Sequence, residues 1–212
     1  MDTNNLISQI PDYLGKSLEA TISRPALCLV SSWIETHEIE IICTKERSSK
    51  TGDYRPSHNG KKHRITINRT LNPYSFLITL IHEFAHFKAW EKYKNSVNPH
   101  GNEWKTEYKN LICILNPFLT FPQDVNNAFL AYMENPKASI SNCYELVRAL
   151  KRYDAPSRNT ATIESLYHNQ IFKTKSGREF QNLGKIRRRH RCIELDSGKV
   201  YLFNPLAEVL IV

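Results

Sequence analysis

The sequence predicts an α+β protein: helices packed around a small antiparallel sheet, then a small all-β module. Three observations carry this prediction. The longest apolar run, FLITLIHEFAHFKAW, reads as one long helix. Short alternating segments just before it read as strands. Past residue 162, helical patterning gives way to short strand-like runs. The predicted bounds are 1–153 for the first domain, 154–162 for a polar linker containing Pro156, and 163–212 for the β module.

Each element has its own signal. Leu6, Ile7, Ile10 and Leu14 fall at helix spacing, Pro11 interrupts them, and Pro25 is expected to end a second helical segment. EIEIICTK at 38–45 alternates and then turns β-branched, so it is predicted as a strand. SSKTGDYRP at 48–56 is turn-rich and leads into a short strand near Tyr54. GKK at 60–62 reads as a turn before the strand HRITINR, 63–69. The closeness of these strands in the chain predicts antiparallel pairing.

Asn72 is a good N-cap, and Pro73 suits the first helical position, where its missing N–H costs nothing. The helix that follows runs to about Tyr93 and is apolar on most sides, as a central helix should be. NSVNPHGN at 95–102 is a loop, and EWKTEYKNLICIL at 103–115 is a second helix with Trp104, Tyr108, Leu111 and Leu115 at helix spacing. Pro117 and Pro122 break the chain before two short amphipathic helices, DVNNAFLAYMENP and SNCYELVRALKRYD. IFKT, EFQNLGKI, RCIEL, KVYLF and AEVLIV read as the strands of the second module, with a hairpin turn at DSG, 196–198.

Composition narrows the class. Of 212 residues, 41% are hydrophobic and 24% charged, enough for a core and too ordinary for wholesale disorder. No apolar stretch reaches the roughly 18 residues of a membrane helix. Asp2 interrupts any basic-then-apolar leader pattern, so a cytoplasmic protein is expected, with no membrane partner. Five isolated cysteines without a CxxC fit a reducing compartment and exclude a ribbon of paired cysteines. The net charge is +8, and the last 62 residues hold 12 Lys and Arg against 6 Asp and Glu. That excess points to an anionic partner for the C-terminal part, nucleic acid first.

The chemistry concentrates in HEFAH, residues 82–86. On a helix, His82 and His86 lie one turn apart on the same face and can present two imidazoles to one ion. Glu83 is placed to reach a water at that ion and act as a general base. HExxH arises by chance in roughly one such chain in fifty, so the context matters: here it lies on a capped helix. Two core histidines and a Glu in one buried turn are costly without a partner. HEIEI at 37–41 lacks the second His and reads as surface strand; His58 and His63 flank a turn and read as exposed. A catalytic zinc takes three protein ligands and keeps one position open. Lys92 stands where a metzincin has its third His, so that spacing fails. His100, Glu103 and Glu107 remain as candidates on spacing alone.

RSSKTGDYRP, HRITIN, LNPYSFLITLIHEFAH and HGNEW together resemble the SprT-like metallopeptidase domain, a family that includes the Spartan proteases acting on proteins crosslinked to DNA. The likeness covers about residues 40–115. It implies a zincin-like domain with the HExxH helix at its centre and one zinc ion per chain. It also implies His82, His86 and His100 as ligands, Glu83 as catalytic base, and Trp104 packed against the zinc helix. Many relatives continue into a four-cysteine zinc ribbon. This chain has only Cys143 and Cys192 past residue 113, which fits the bacterial members that lack the ribbon. The implied activity is a metalloendopeptidase with a protein substrate associated with or crosslinked to DNA. Two alternatives are a non-catalytic zinc-stabilised nucleic-acid adaptor and a metal hydrolase with a non-peptide substrate.

Weaker signals lie on either side of this region. KIRRRHR at 185–191 offers Lys185, Arg187, Arg188, Arg189 and Arg191 to phosphate; the competing reading is a solvated edge strand whose charges block aggregation. Phe172, Phe180, Tyr201 and Phe203 are expected to form the core of the small module rather than stack on bases. Tyr54 and Arg55, just before the long helix, are candidates for aligning a substrate backbone, and Tyr54 for polarising its carbonyl.

Overall fold

Helix α1 spans Asp12–Thr21 and α2 spans Arg24–Thr36. The computed structural model describes residues 8–9, 12–47, 49–155 and 159–212, so the expectations for Leu6, Ile7, Ile10, Pro11 and Pro156 lie outside the described residues. Pro25 opens α2 rather than ending a helix. It occupies the first turn, and Ser23 caps that turn by accepting the Ala26 N–H at 3.4 Å.

Strands β1 (Glu40–Thr44), β2 (Gly52–Arg55) and β3 (Arg64–Asn68) form a sheet in the order β1-β3-β2. The sheet is mixed. β2 runs antiparallel to β3, but β1 runs parallel to it, with Ile41 opposite Ile65. The antiparallel prediction therefore fails for β1. The chain goes out through β2 and returns between its two predecessors, so β3 separates strands that are neighbours in sequence. β2 is left on the edge. Its turn into β3 lies on Asn59 and Gly60, both at positive φ (49° and 75°), one residue earlier than GKK suggests.

Helix α3 spans Pro73–Tyr93, followed by α4 (Asn102–Leu115), α5 (Gln123–Glu134) and α6 (Tyr144–Lys151). α3 is buried on nearly every side: Phe76, Leu77, Ile78, Leu80, Ile81, Phe84, Ala85 and Phe87 are all core residues. They meet Ile65 and Ile67 of the sheet, Val30 and Ile34 of α2, and Tyr108 and Leu111 of α4 in one continuous core. Each large side chain buried this way contributes roughly 1.5–3 kcal/mol, so packing dominates helix propensity in holding α3.

Asn72 does more than cap. Its Oδ1 accepts the Ser75 N–H at 2.9 Å, while its Nδ2 donates to the Leu150 carbonyl at 2.9 Å and to Asp154 Oδ1 at 2.6 Å. The start of α3 is thereby tied to the end of α6. Asn72→Ala removes a cap worth about 1 kcal/mol and two further hydrogen bonds, to Leu150 and Asp154, worth about 0.5–1.5 kcal/mol each. The expected loss is about 2–4 kcal/mol, read by urea denaturation of the full chain.

The described chain divides into two compact units, residues 1–154 and 155–212. In the second, β4 (Thr160–Thr162), β5 (Ile171–Lys173), β6 (Glu179–Ile186), β7 (Arg189–Glu194), β8 (Val200–Phe203) and β9 (Glu208–Ile211) form one sheet in the order β4-β9-β5-β6-β7-β8. β4 falls inside the segment read as linker; three residues of Thr and Ala carry too little pattern to announce a strand. Phe172 and Phe180 are fully buried, with Tyr201 and Phe203 edge-on to Phe180, so these aromatics are core. Gly198 takes φ 66° in the turn between β7 and β8.

Candidate metal centre

The α-helical repeat sets the first two groups. His82 and His86 project from the same face of α3, one turn apart. The third comes from the loop between α3 and α4. His100 precedes Gly101, the N-cap of α4, and holds φ 61°. A left-handed backbone at a non-glycine residue costs about 1–2 kcal/mol, and here it sits where the loop turns back onto α3. His100 Nε2 then lies 2.8 Å from His86 Nε2 and 3.2 Å from His82 Nε2. Ligand atoms of all three fall within 4.8 Å of one another, so the cluster can hold a metal ion.

The donor set fits zinc. Three nitrogens bound to one zinc at about 2.0–2.1 Å sit roughly 3.3 Å apart. Hydrogen bonding alone does not explain the convergence, because His100 Nε2 has one N–H or one lone pair, according to tautomer, for two nitrogen neighbours. Burial, then the charges of His86 and His100, hold the proton affinity of His82 well below the ordinary histidine value. His86 is pushed down to about 3, first by burial and then by His100, and burial also lowers His100. All three present neutral imidazoles at neutral pH, the form a metal binds.

Trp104, one turn into α4, backs the cluster. Its ring centroid lies 4.7 Å from that of His82, 5.3 Å from His86 and 4.8 Å from His100, and Tyr108 packs behind it at 5.1 Å. Glu103 and Glu107 do not join the group. Glu107 is buried in an ion pair with Lys92 at 2.7 Å, and Glu103 Oε2 lies beside Gly101.

Glu83 is buried between α3 and β2. The Tyr54 backbone N–H donates to its carboxylate, yet burial and then Asp53 push its pKa up to about 8. Asp53 is itself held charged by Lys50 at 2.8 Å and Arg55 at 3.0 Å. Gly52 is what lets the strand come this close: a Cβ there would meet Glu83 Oε1 at 2.5 Å and Thr79 Cγ2 at 2.6 Å. Sequence reasoning passes over Gly52 and Asp53. The available signal was an isolated glycine in a strand, which marks a close approach of backbone.

Tyr54 and Arg55 both lie on β2. The Tyr54 hydroxyl is hydrogen-bonded to His63 Nδ1 at 2.9 Å, and Arg55 is exposed on Asp53. Two histidine expectations need correcting. His63 is half-buried against Phe87 and Trp90, because Tyr54 O–H and Ser57 N–H both point at its ring; His58 is exposed as expected. His37 ends α2 instead of lying on a strand, and packs on Phe84 and Phe87 beside Glu91.

Two cavities flank the cluster. One, about 120 Å³, is lined by His82 and Glu83 with Gly52, Thr79 and Ser139. The other, about 310 Å³, lies beside His86.

In the second unit the basic run is not one strand. β6 ends at Ile186, Arg187 turns at φ 53°, and β7 begins at Arg189. The run therefore forms a hairpin tip, since a two-residue turn needs a positive φ that sequence periodicity does not reveal. Lys185, Arg187, Arg188, Arg189 and Arg191 are all exposed there, while His190 points inward. No described helix is long and apolar enough to cross a membrane.

The sequence model described as the SprT-like family matches residues 23–122, from the cap of α2 to the residue before α5. The match contains His82, Glu83, His86 and His100. No curated protein and no solved structure matches the chain.

Proposed function

The chain belongs, through residues 23–122, to the SprT-like family, and on that premise we propose that it is a zinc-dependent metalloendopeptidase acting on proteins bound or crosslinked to DNA. One observation carries the catalytic part: three converging neutral imidazoles beside a buried carboxyl group of raised pKa. His82, His86 and His100 would hold the ion. Zinc in a site of this kind supplies Lewis acidity and brings the pKa of water down to about 7.

The rest belongs to the chain. Glu83 takes a proton from the attacking water and returns it to the leaving amine. The Tyr54 N–H keeps that carboxylate aimed; burial and then Asp53 raise its proton affinity, against the smaller pull of Lys50 and Arg47. β2 is an edge strand, so an extended peptide can lie along it and be aligned by main-chain hydrogen bonds. Trp104 shields one side of the cluster from water. The wide cysteine spacing suits work in the reducing cytoplasm.

The DNA part of the proposal rests on the hairpin tip. Five exposed cations around one hairpin tip suit a phosphate backbone. The discriminating assay is cleavage of an unfolded protein with and without single-stranded DNA. The variant Arg187→Glu, Arg188→Glu, Arg189→Glu should weaken DNA binding at least tenfold at low salt. It should also flatten the salt dependence, the log–log slope shrinking by about 0.7 for each phosphate the tip no longer neutralises. Unchanged affinity and slope would remove DNA from the proposal.

A further inference from the structure

The cavity beside His86 differs in kind from the one beside Glu83. It holds about 310 Å³, and Pro56, Ala89, Trp90, Val97, Pro99 and Trp104 form most of its wall. It shares His86 with the imidazole cluster and Tyr54 with the edge strand, so a peptide on β2 passes its mouth. Two indoles line it. Lys94 is the one lysine on its wall, with Nζ 3.8 Å from the centre of the Trp90 ring. Such a contact holds the ammonium against the aromatic face. Trp104 is 1% exposed, so it forms a fixed wall of the cavity rather than a mobile one.

We propose that this cavity is the specificity pocket of the site, taking a bulky uncharged aromatic or aliphatic side chain next to the scissile bond and rejecting lysine and arginine. The inference rests on the peptidase reading above. Its reasons are local. The walls are apolar, and the Trp90 and Trp104 indoles give a bulky side chain large surfaces to pack against. A basic side chain would enter beside the like charge of the Lys94 ammonium, which the Trp90 ring holds at the wall.

Two measurements on the zinc-loaded full chain test it. Peptides varied at single positions should show one position where Phe or Leu exceeds Ala by roughly 10–200-fold in kcat/KM, with Lys and Arg below Ala. Lys94→Glu should raise cleavage at Lys or Arg at that position at least tenfold relative to Phe. Val97→Phe, which narrows the pocket, should lower kcat/KM for Phe and Leu peptides toward the Ala value. The second readout needs no turnover. N-acetyl-phenylalaninamide should shift the indole N–H resonances of Trp90 and Trp104 saturably and leave that of Trp33 in place, and N-acetyl-lysinamide should shift neither. Cleavage without residue preference, or without the indole shifts, overturns the pocket and leaves the peptidase intact. Indole shifts in a chain that cuts no peptide support the pocket and overturn the peptidase.

Discussion

Glu83→Gln is expected to lower peptide hydrolysis by about 10²–10⁴-fold while zinc stays at one per chain. The two effects separate because Glu83 stands outside the imidazole cluster, buried against β2 and bonded by the Tyr54 N–H. Gln keeps the shape and loses the proton acceptor. The same variant has a thermodynamic signature in the metal-free protein. Burial and Asp53 raise the Glu83 pKa from 4.5 to about 8, so the folded chain binds this proton more tightly than the unfolded one. Stability from the neutral carboxyl is fully present below pH 4.5 and is lost as pH rises toward 8. Metal-free Glu83→Gln should therefore overtake the native chain across that window. The gap grows by about 1.4 kcal/mol for each tenfold difference in proton affinity. With a cation at the cluster, the Glu83 proton affinity falls, and the gap should shrink. Parallel melting curves at pH 5 and pH 8 would expose an equal gap at both, and an equal gap would mean that Glu83 is not a buried acid at all.

Much of this site is visible in one turn of sequence. The spacing of His82 and His86 needs only the helical repeat, and Asn72-Pro73 marks where that helix begins. Both are local facts, and local facts survive the fold. What stays hidden depends on returns of the chain. β3 inserts between β1 and β2, and nothing in ITIN shows which neighbour it will choose. Gly52 matters because Glu83 and Thr79, some thirty residues later, fill the space its missing side chain leaves. His63 and His37 look like surface residues because the aromatics that cover them, Phe84, Phe87 and Trp90, come from another element. The basic run KIRRRHR alternates well enough to be a strand, but a single positive φ at Arg187 folds it in two. His100 is an intermediate case. Spacing leaves it level with Glu103 and Glu107; the structure separates them by a loop reversal and a Lys92–Glu107 ion pair.

That separation makes His100 the sharpest place to strike. Losing it should cost zinc affinity more than the roughly 10–100-fold typical of a residue one step removed from the metal, and activity with it. Asparagine is a better replacement than alanine. The backbone at His100 has φ 61°, and Asn tolerates the left-handed region that strains Ala. His100→Asn thus removes the imidazole while keeping the loop reversal, so that any zinc released reflects a missing ligand and not a misfolded turn. Zinc competition against a chromophoric chelator reads the affinity. In the native chain, burial keeps His82 and His86 neutral far below the ordinary histidine pKa, so zinc should be held well below pH 6 before protons displace it. In His100→Asn two imidazoles remain, and release should begin nearer neutrality. If His100→Asn keeps both native affinity and native acid resistance, the third ligand lies elsewhere, and the close approach of three imidazole nitrogens needs another cause.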